Sequence, residues 1–206
     1  FGLAVAVTAG VSQAQIMGNA DIAVSTTWTS NNVYNLQRQI YVLPGATLTI
    51  EAGTVIASTT NLGGSLAVAR GAQVVAQGTQ KNPVIFTSEA DRATWTGGNP
   101  KVGAWRESAN EWGNITIMGR GYVSSCIAGN TAAPSATNVH PMEGLVASGP
   151  NDPNVLYGGG NVDDDSGSLS YVSLRYGGKV ISLANELNGL SLGGIAAGAT
   201  LVQGTI

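Results

Sequence analysis

Gly45-Ala-Thr-Leu-Thr-Ile-Glu-Ala-Gly-Thr-Val-Ile56 reads as a strand, a corner and the start of a second strand. Leu48 and Ile50 stand two apart, so both point to one side of an extended chain. Gly53 falls where the chain has to turn, and glycine takes positive φ without a Cβ penalty. The pattern returns downstream at a constant step. Leu48, Leu66 and Val84 keep it, as do Ile50, Val68 and Phe86, and Gly53 and Gly71. Val172 and Leu174 precede Leu190 and Leu192 by the same step. A fixed step with a strand-like pair at each stop reads as all-β: a right-handed parallel β-helix, or solenoid, with about 18-residue coils. A β-sandwich also consists of strands and turns, but it does not account for three in-register copies at one spacing.

Working outward, residues 45–206 form the expected β-helix. Gly198-Ala-Thr-Leu201 repeats the wording of Gly45-Ala-Thr-Leu48, so further coils are expected beyond the fragment. Two excursions interrupt it, at about 89–112 and 124–166. Uninterrupted loops of that length are uncommon unless they are functional or mobile. Residues 15–44 are expected to cap the open first coil, with Trp28 as the plug. Residues 1–14 are apolar, uncharged and end in small residues, with Ser12 and Ala14 placed as in a small-x-small cleavage site. They read as a signal peptide cut at its start, and the run is too short to span a bilayer.

Composition agrees with short strands and tight turns. Charged residues make up 10%, against about 25% in an average soluble domain, and 29 of 206 residues are glycine. The net charge of −3 comes with no basic stripe, which excludes a nucleic-acid partner. Cys126 is the only cysteine, so no disulfide forms within the chain. A single histidine and a single cysteine also exclude His-based zinc sites and Cys–His dyads.

Val42-Leu-Pro-Gly-Ala-Thr-Leu-Thr-Ile-Glu-Ala-Gly-Thr-Val-Ile56 resembles the opening coil of large secreted bacterial proteins with right-handed parallel β-helix repeats. Trp112-Gly-Asn-Ile-Thr-Ile-Met-Gly119 is similar to a second signature of that family. Asp164-Asp-Ser-Gly-Ser-Leu-Ser-Tyr-Val-Ser-Leu-Arg-Tyr-Gly-Gly178, with Asn185-Glu-Leu-Asn-Gly-Leu-Ser-Leu-Gly-Gly194, is similar to a third. The resemblance covers most of the chain after the signal and implies export, an extracellular or cell-surface location, and often a sorting tail. It does not imply an activity.

Candidate chemistry is sparse. Asp163, Asp164 and Asp165 are adjacent carboxylates that can supply hard oxygen ligands to Ca²⁺, or form a solvated acidic turn. Arg175 is the expected partner that relieves their mutual repulsion. Trp95, Trp105 and Trp112 crowd the first excursion. Trp95 and Trp105, with Tyr157, could form a sugar-stacking platform, or could pack the excursion onto the cylinder; Trp112, followed at once by a strand, reads as structural. His140 lies beside Pro141 in a loop and reads as solvent-facing. Gly158-Gly-Gly160 reads as turn glycine and not as a phosphate loop, because no Lys-Ser/Thr follows. The Gly-His-Gly and Arg-x-Lys motifs of polygalacturonase-like enzymes are absent, and Arg175 or Lys179 as a lyase base has no motif behind it. The expected function is a structural or adhesive surface rod that contacts a polysaccharide or an envelope component. The alternative is a lyase or hydrolase of acidic polysaccharide.

Overall fold

The computed structural model describes residues 13–124, 135–149, 152–183, 185–198 and 200–202. Residues 1–12 of the expected signal peptide, and Cys126, lie outside them.

In chain order, β1 (Ala14–Gly18) leads into a first round of β2 (Thr26–Trp28), β3 (Asn32–Leu36) and β4 (Gln39–Val42). The second round is β5 (Thr47–Ile50), β6 (Val55–Ser58) and β7 (Ser65–Val68). The third is β8 (Gln73–Gln77), β9 (Val84–Ser88) and, after the first excursion with its short helix α1 (Glu89–Arg92), β10 (Ile115–Met118). The second excursion carries an antiparallel pair, β11 (Val139–Pro141) and β12 (Leu156–Gly158). The rounds resume with β13 (Gly167–Ser170) and β14 (Val172–Leu174). The small antiparallel pair β15 (Val180–Ser182) and β16 (Asn185–Glu186) precedes β17 (Leu190–Gly193) and β18 (Thr200–Val202).

Three parallel sheets result. Sheet 1 is β2-β5-β8-β13-β18, sheet 2 is β1-β3-β6-β9-β14 and sheet 3 is β4-β7-β10-β17. The chain visits them in rotation, as expected of a coiled chain and consistent with a parallel β-helix. No helix among the described residues is long and apolar enough to cross a membrane.

The register corrects the expected coil length. Leu48 pairs with Val74, and Ile40 with Leu66. Val33 pairs with Val55, and Val55 in turn with Ile85. Each of these steps is longer than the constant one read from the sequence, and they differ among themselves. Leu48, Leu66 and Val84 lie in β5, β7 and β9, one in each sheet. The constant step therefore runs from one strand to the next but one, not around a full coil. An inward-pointing apolar pair looks the same in sequence on every face, and corners of unequal length hide the true period. Gly53 and Gly71 are corners as expected, with φ of +83° and +79°.

The inner faces meet in one core that includes Leu48, Ile50, Ile56, Leu66, Phe86 and Ile115, all essentially inaccessible. Trp28, in the end strand of sheet 1, is 6% exposed and stacks on Tyr34 with centroids 4.6 Å apart.

The outer faces differ. In sheet 1, β5 and β8 alternate between buried and more open positions, the signature of a sheet with one solvated side. Thr27, Thr49, Val75 and Ser168 stand in register on that open side. In contrast, β6, β7, β9 and β10 are buried at every position, which requires cover on both faces. The first excursion covers sheet 2, where Trp95 packs with Val33, Val55, Ala57 and Ile85. The second covers sheet 3, where Val155 packs with Tyr41, Ala67 and Met118 and is flanked by Met142, Leu145, Leu156 and Tyr157.

Candidate functional site

Each excursion is held by buried polar contacts. The Ser88 hydroxyl caps α1 by accepting from the Asp91 N–H at 3.0 Å, and donates to the Glu111 carboxylate. Glu111 also accepts from the Ser108 hydroxyl at 2.6 Å and from both terminal nitrogens of Arg106. Asp91 accepts from the Thr87 hydroxyl at 2.7 Å and lies 3.7 Å from the Arg175 guanidinium. Arg175 donates to the Pro100 carbonyl at 3.1 Å, and its guanidinium sits 5.9 Å from the Trp95 ring centre. Trp112 donates its indole N–H to the Arg175 carbonyl at 2.7 Å and stacks with Phe86, 6.2 Å between centroids.

In the second excursion, Asp152 accepts from the backbone N–H groups of Ser148 and Asn154 and from the Ser148 hydroxyl, each at 2.9 Å. Tyr41 donates its hydroxyl to the Val146 carbonyl at 3.2 Å. Burial, and then the Asp152 charge, push that phenol far above its ordinary value, so it stays a donor at any physiological pH.

These carboxylates couple the excursions to pH. Burial works to raise Glu111, but the hydrogen bonds from Arg106, Ser108 and Ser88 outweigh it and hold the carboxyl below its ordinary 4.5. Burial likewise opposes, and the Ser148 and Asn154 donors outweigh it, in holding Asp152 below 3.8. A carboxyl lowered by folding stabilises fully above its unfolded value, and that contribution fades as pH falls through the lower folded value. Both excursions are therefore expected to loosen below about pH 4 while the sheets persist. Tryptophan emission should redden in that window before far-ultraviolet dichroism changes; simultaneous loss of both signals would contradict the expectation.

The expected aspartate site is not assembled. Asp164 is buried, and its Oδ2 accepts from the Arg120 N–H at 2.9 Å and from the Ser166 hydroxyl at 3.4 Å. Asp165 accepts from the Gly167 N–H at 2.8 Å, while Asp163 is exposed and its N–H donates to the Asn161 side chain at 3.2 Å. Asp164 is thus enclosed and tied to its own chain, while Asp163 and Asp165 stand open to solvent. Among the described residues no group of three or more His, Cys, Asp or Glu side chains gathers as a cation site. Arg175 is committed to Asp91 in the other excursion and does not pair with this run.

The aromatic platform is divided as well. Trp95 is 8% exposed against sheet 2, whereas Tyr157 is half-buried on sheet 3 with its ring centre 6.0 Å from that of His140. Trp105 alone of the three is open, at 81% exposure. His140 lies in β11 and is half-buried, not fully solvent-facing.

The structure shows one feature that the sequence reading passed over. A cleft of about 640 Å³ lies at the corner where sheet 3 hands over to sheet 1. Arg70, Arg120, Pro44, Ser135, Gly159 and Asn161 line it. Arg70 follows β7 and Arg120 follows β10, strands of neighbouring coils. The one sequence signal is an Arg-Gly pair shortly after each strand. Arg120 lies so close over Gly71 that any side chain there would collide with its guanidinium. Gly158 to Gly160 are explained here. A Cβ at Gly158 would meet the Asn138 carbonyl oxygen at 2.5 Å, and one at Gly159 the Arg120 carbonyl oxygen at 2.7 Å. The Gly158 carbonyl accepts from Arg70 Nη1 at 2.9 Å.

The family model for a pectate-lyase-like β-helix domain matches residues 20–203. No curated protein and no solved structure matches the chain.

Proposed function

Because this chain belongs to the pectate-lyase-like β-helix domain family, we propose that it is a polysaccharide-binding scaffold: a right-handed β-helix exported to the cell surface or beyond, which holds a glycan without cutting it. The family supports a polysaccharide-related role, and the state of the buried carboxylates favours binding over hydrolysis. Hydrolysis of a glycosidic bond needs a general acid whose pKa is raised toward neutrality. Asp91, Glu111, Asp152 and Asp164, all buried, each accept hydrogen bonds from their own chain, and Glu111 and Asp152 are displaced downward. Carboxylates tied in this way serve as anchors.

Trp105 offers a flat exposed ring for sugar stacking. On an array of immobilised glycans, Trp105→Ala is expected to weaken retention by about tenfold, the usual effect of removing an aromatic anchor. The melting temperature should stay unchanged, because an exposed side chain contributes little to the fold. Equal retention of both proteins would remove Trp105 from the binding face, and no retention of either would overturn the scaffold reading. Trp95→Ala does not make this test, because Trp95 is buried and its removal disturbs the excursion itself.

A further inference from the structure

Asn188-Gly189 is the chain's one Asn-Gly pair. It lies between β16 and β17, with Asn188 exposed and Gly189 half-buried in a bend. Asparagine is a chemically labile residue, most of all before glycine, whose missing Cβ lets its nitrogen approach the preceding side-chain amide.

Nearby asparagines are tied down. Asn185 accepts from the Gly144 N–H at 2.9 Å, and Asn110 from the Val180 N–H at 2.9 Å. The Asn188 side chain makes no hydrogen bond to a described residue, and neither does the Gly189 N–H. The Gly113 carbonyl, just ahead of the neighbouring strand β10, is taken by the Gly178 N–H at 3.0 Å. The two groups that would react are therefore adjacent and both free. Anchors stand on either side. Leu187 is 3% exposed and donates its N–H to the Lys179 carbonyl at 2.8 Å. Leu190 pairs with Ile115 and packs on the core. Asn188 and Gly189 are the untied links between them. The strand that follows, β17, is the end strand of sheet 3 and pairs with β10 alone.

We propose that Asn188 is a self-modification site: its side chain deamidates through the Gly189 nitrogen, and the isoaspartate product loosens β17. The Gly189 nitrogen loses its proton to solvent and attacks the Asn188 Cγ. A C–N bond forms, the Cγ–Nδ2 bond breaks, and Nδ2 takes up a proton from solvent and leaves as ammonia. A five-membered succinimide remains. Water then opens the ring at one of its two carbonyls. Attack at Cγ yields aspartate. Attack at the main-chain carbonyl yields isoaspartate, whose main chain runs through Cβ and Cγ. The net change is amide plus water to acid plus ammonia, with nothing oxidised or reduced.

Both products add a negative charge, but isoaspartate also adds a main-chain carbon. Turn geometry fixes the register of the strand it feeds, so an extra atom just ahead of Leu190 works against its pairing with Ile115. A strand held on one side only yields to that misfit first.

Incubating the purified protein at mildly alkaline pH, with peptide mass mapping over time, tests the chemistry. The peptide carrying Asn188 should gain the mass difference between OH and NH2 and separate into two forms, the larger one a substrate for an isoaspartyl methyltransferase. Asn188→Gln, at an exposed position and with a larger ring to close, should lose both products. Hydrogen exchange tests the consequence. The β17 amides of the isoaspartate fraction should exchange about tenfold faster than in fresh protein. Asn188→Asp, which adds the charge without the extra atom, should match the fresh protein. An Asn188 that stays intact while a synthetic peptide of residues 185–192 deamidates alongside would overturn the inference, since the fold would then be protecting it. Isoaspartate formed with unchanged exchange in β17 would overturn the loosening of that strand.

Discussion

Phe86→Ala is expected to destabilise the protein by about 3–5 kcal/mol, the range for deleting a fully buried aromatic ring. Phe86 is inaccessible and lies in β9, between β6 and β14 in sheet 2. It pairs with Ile56 on one side and Leu174 on the other, so the cavity would open inside the stack, where neighbouring coils cannot collapse to fill it. The ring also stacks on Trp112, whose indole N–H holds the Arg175 carbonyl, so the loss should reach the first excursion. Urea unfolding would measure it, with Val75→Ala as the control. Val75 is on the open side of sheet 1 and only half-buried, and its truncation should cost about 1 kcal/mol or less. Similar losses at the two positions would mean that the three inner faces do not share one close-packed core.

Glu111→Ala is the second large effect. It should cost about 2–4 kcal/mol, because it removes the common acceptor of Ser88, Arg106 and Ser108 and leaves buried donors unmatched. Unlike Phe86→Ala, the damage should be local. The 89–112 excursion should come away from sheet 2, exposing Trp95 and the face of Val33, Val55 and Ile85, while the sheets keep their dichroism. Limited proteolysis should cut first within that excursion, and Arg175, which binds Asp91 and the Pro100 carbonyl, should lose its fixed position. Glu111→Gln, which keeps the shape and some acceptor capacity, should be milder. An unchanged digestion pattern in Glu111→Ala would show that the apolar contacts of Trp95 suffice to seat the excursion.

The all-β class, the alternation of apolar residues and the glycine corners at Gly53 and Gly71 were legible in the sequence, because period 2 and positive φ leave local marks. The coil length was not. Leu48, Leu66 and Val84 carry identical local patterns, yet they line three different sheets, and only pairing across the coil separates them. The excursions were visible as breaks, but that they cover sheets 2 and 3 depends on outward-facing residues such as Val55, Ala67 and Met118. Those residues read as ordinary strand positions until something packs on them.

The candidate site was legible only in part. Trp95 and Trp105 have the same local signal, and burial alone divides them. Adjacency drew attention to Asp163, Asp164 and Asp165, but burial divides them: Asp164 is enclosed and its two neighbours are open. Arg70 and Arg120 stand far apart in sequence because the first excursion lies between them. Only the stacking of β7 on β10 brings them to one corner.

The most direct test of the scaffold reading is to incubate the purified protein with an acidic polysaccharide, recover the complex, and measure both the amount bound and the chain length of the polymer afterwards. The account predicts retention of the polymer at unchanged length, with retention reduced in Trp105→Ala. Shortened chains, or unsaturated sugar ends, accumulating in proportion to the protein added would contradict it and establish the chain as an enzyme.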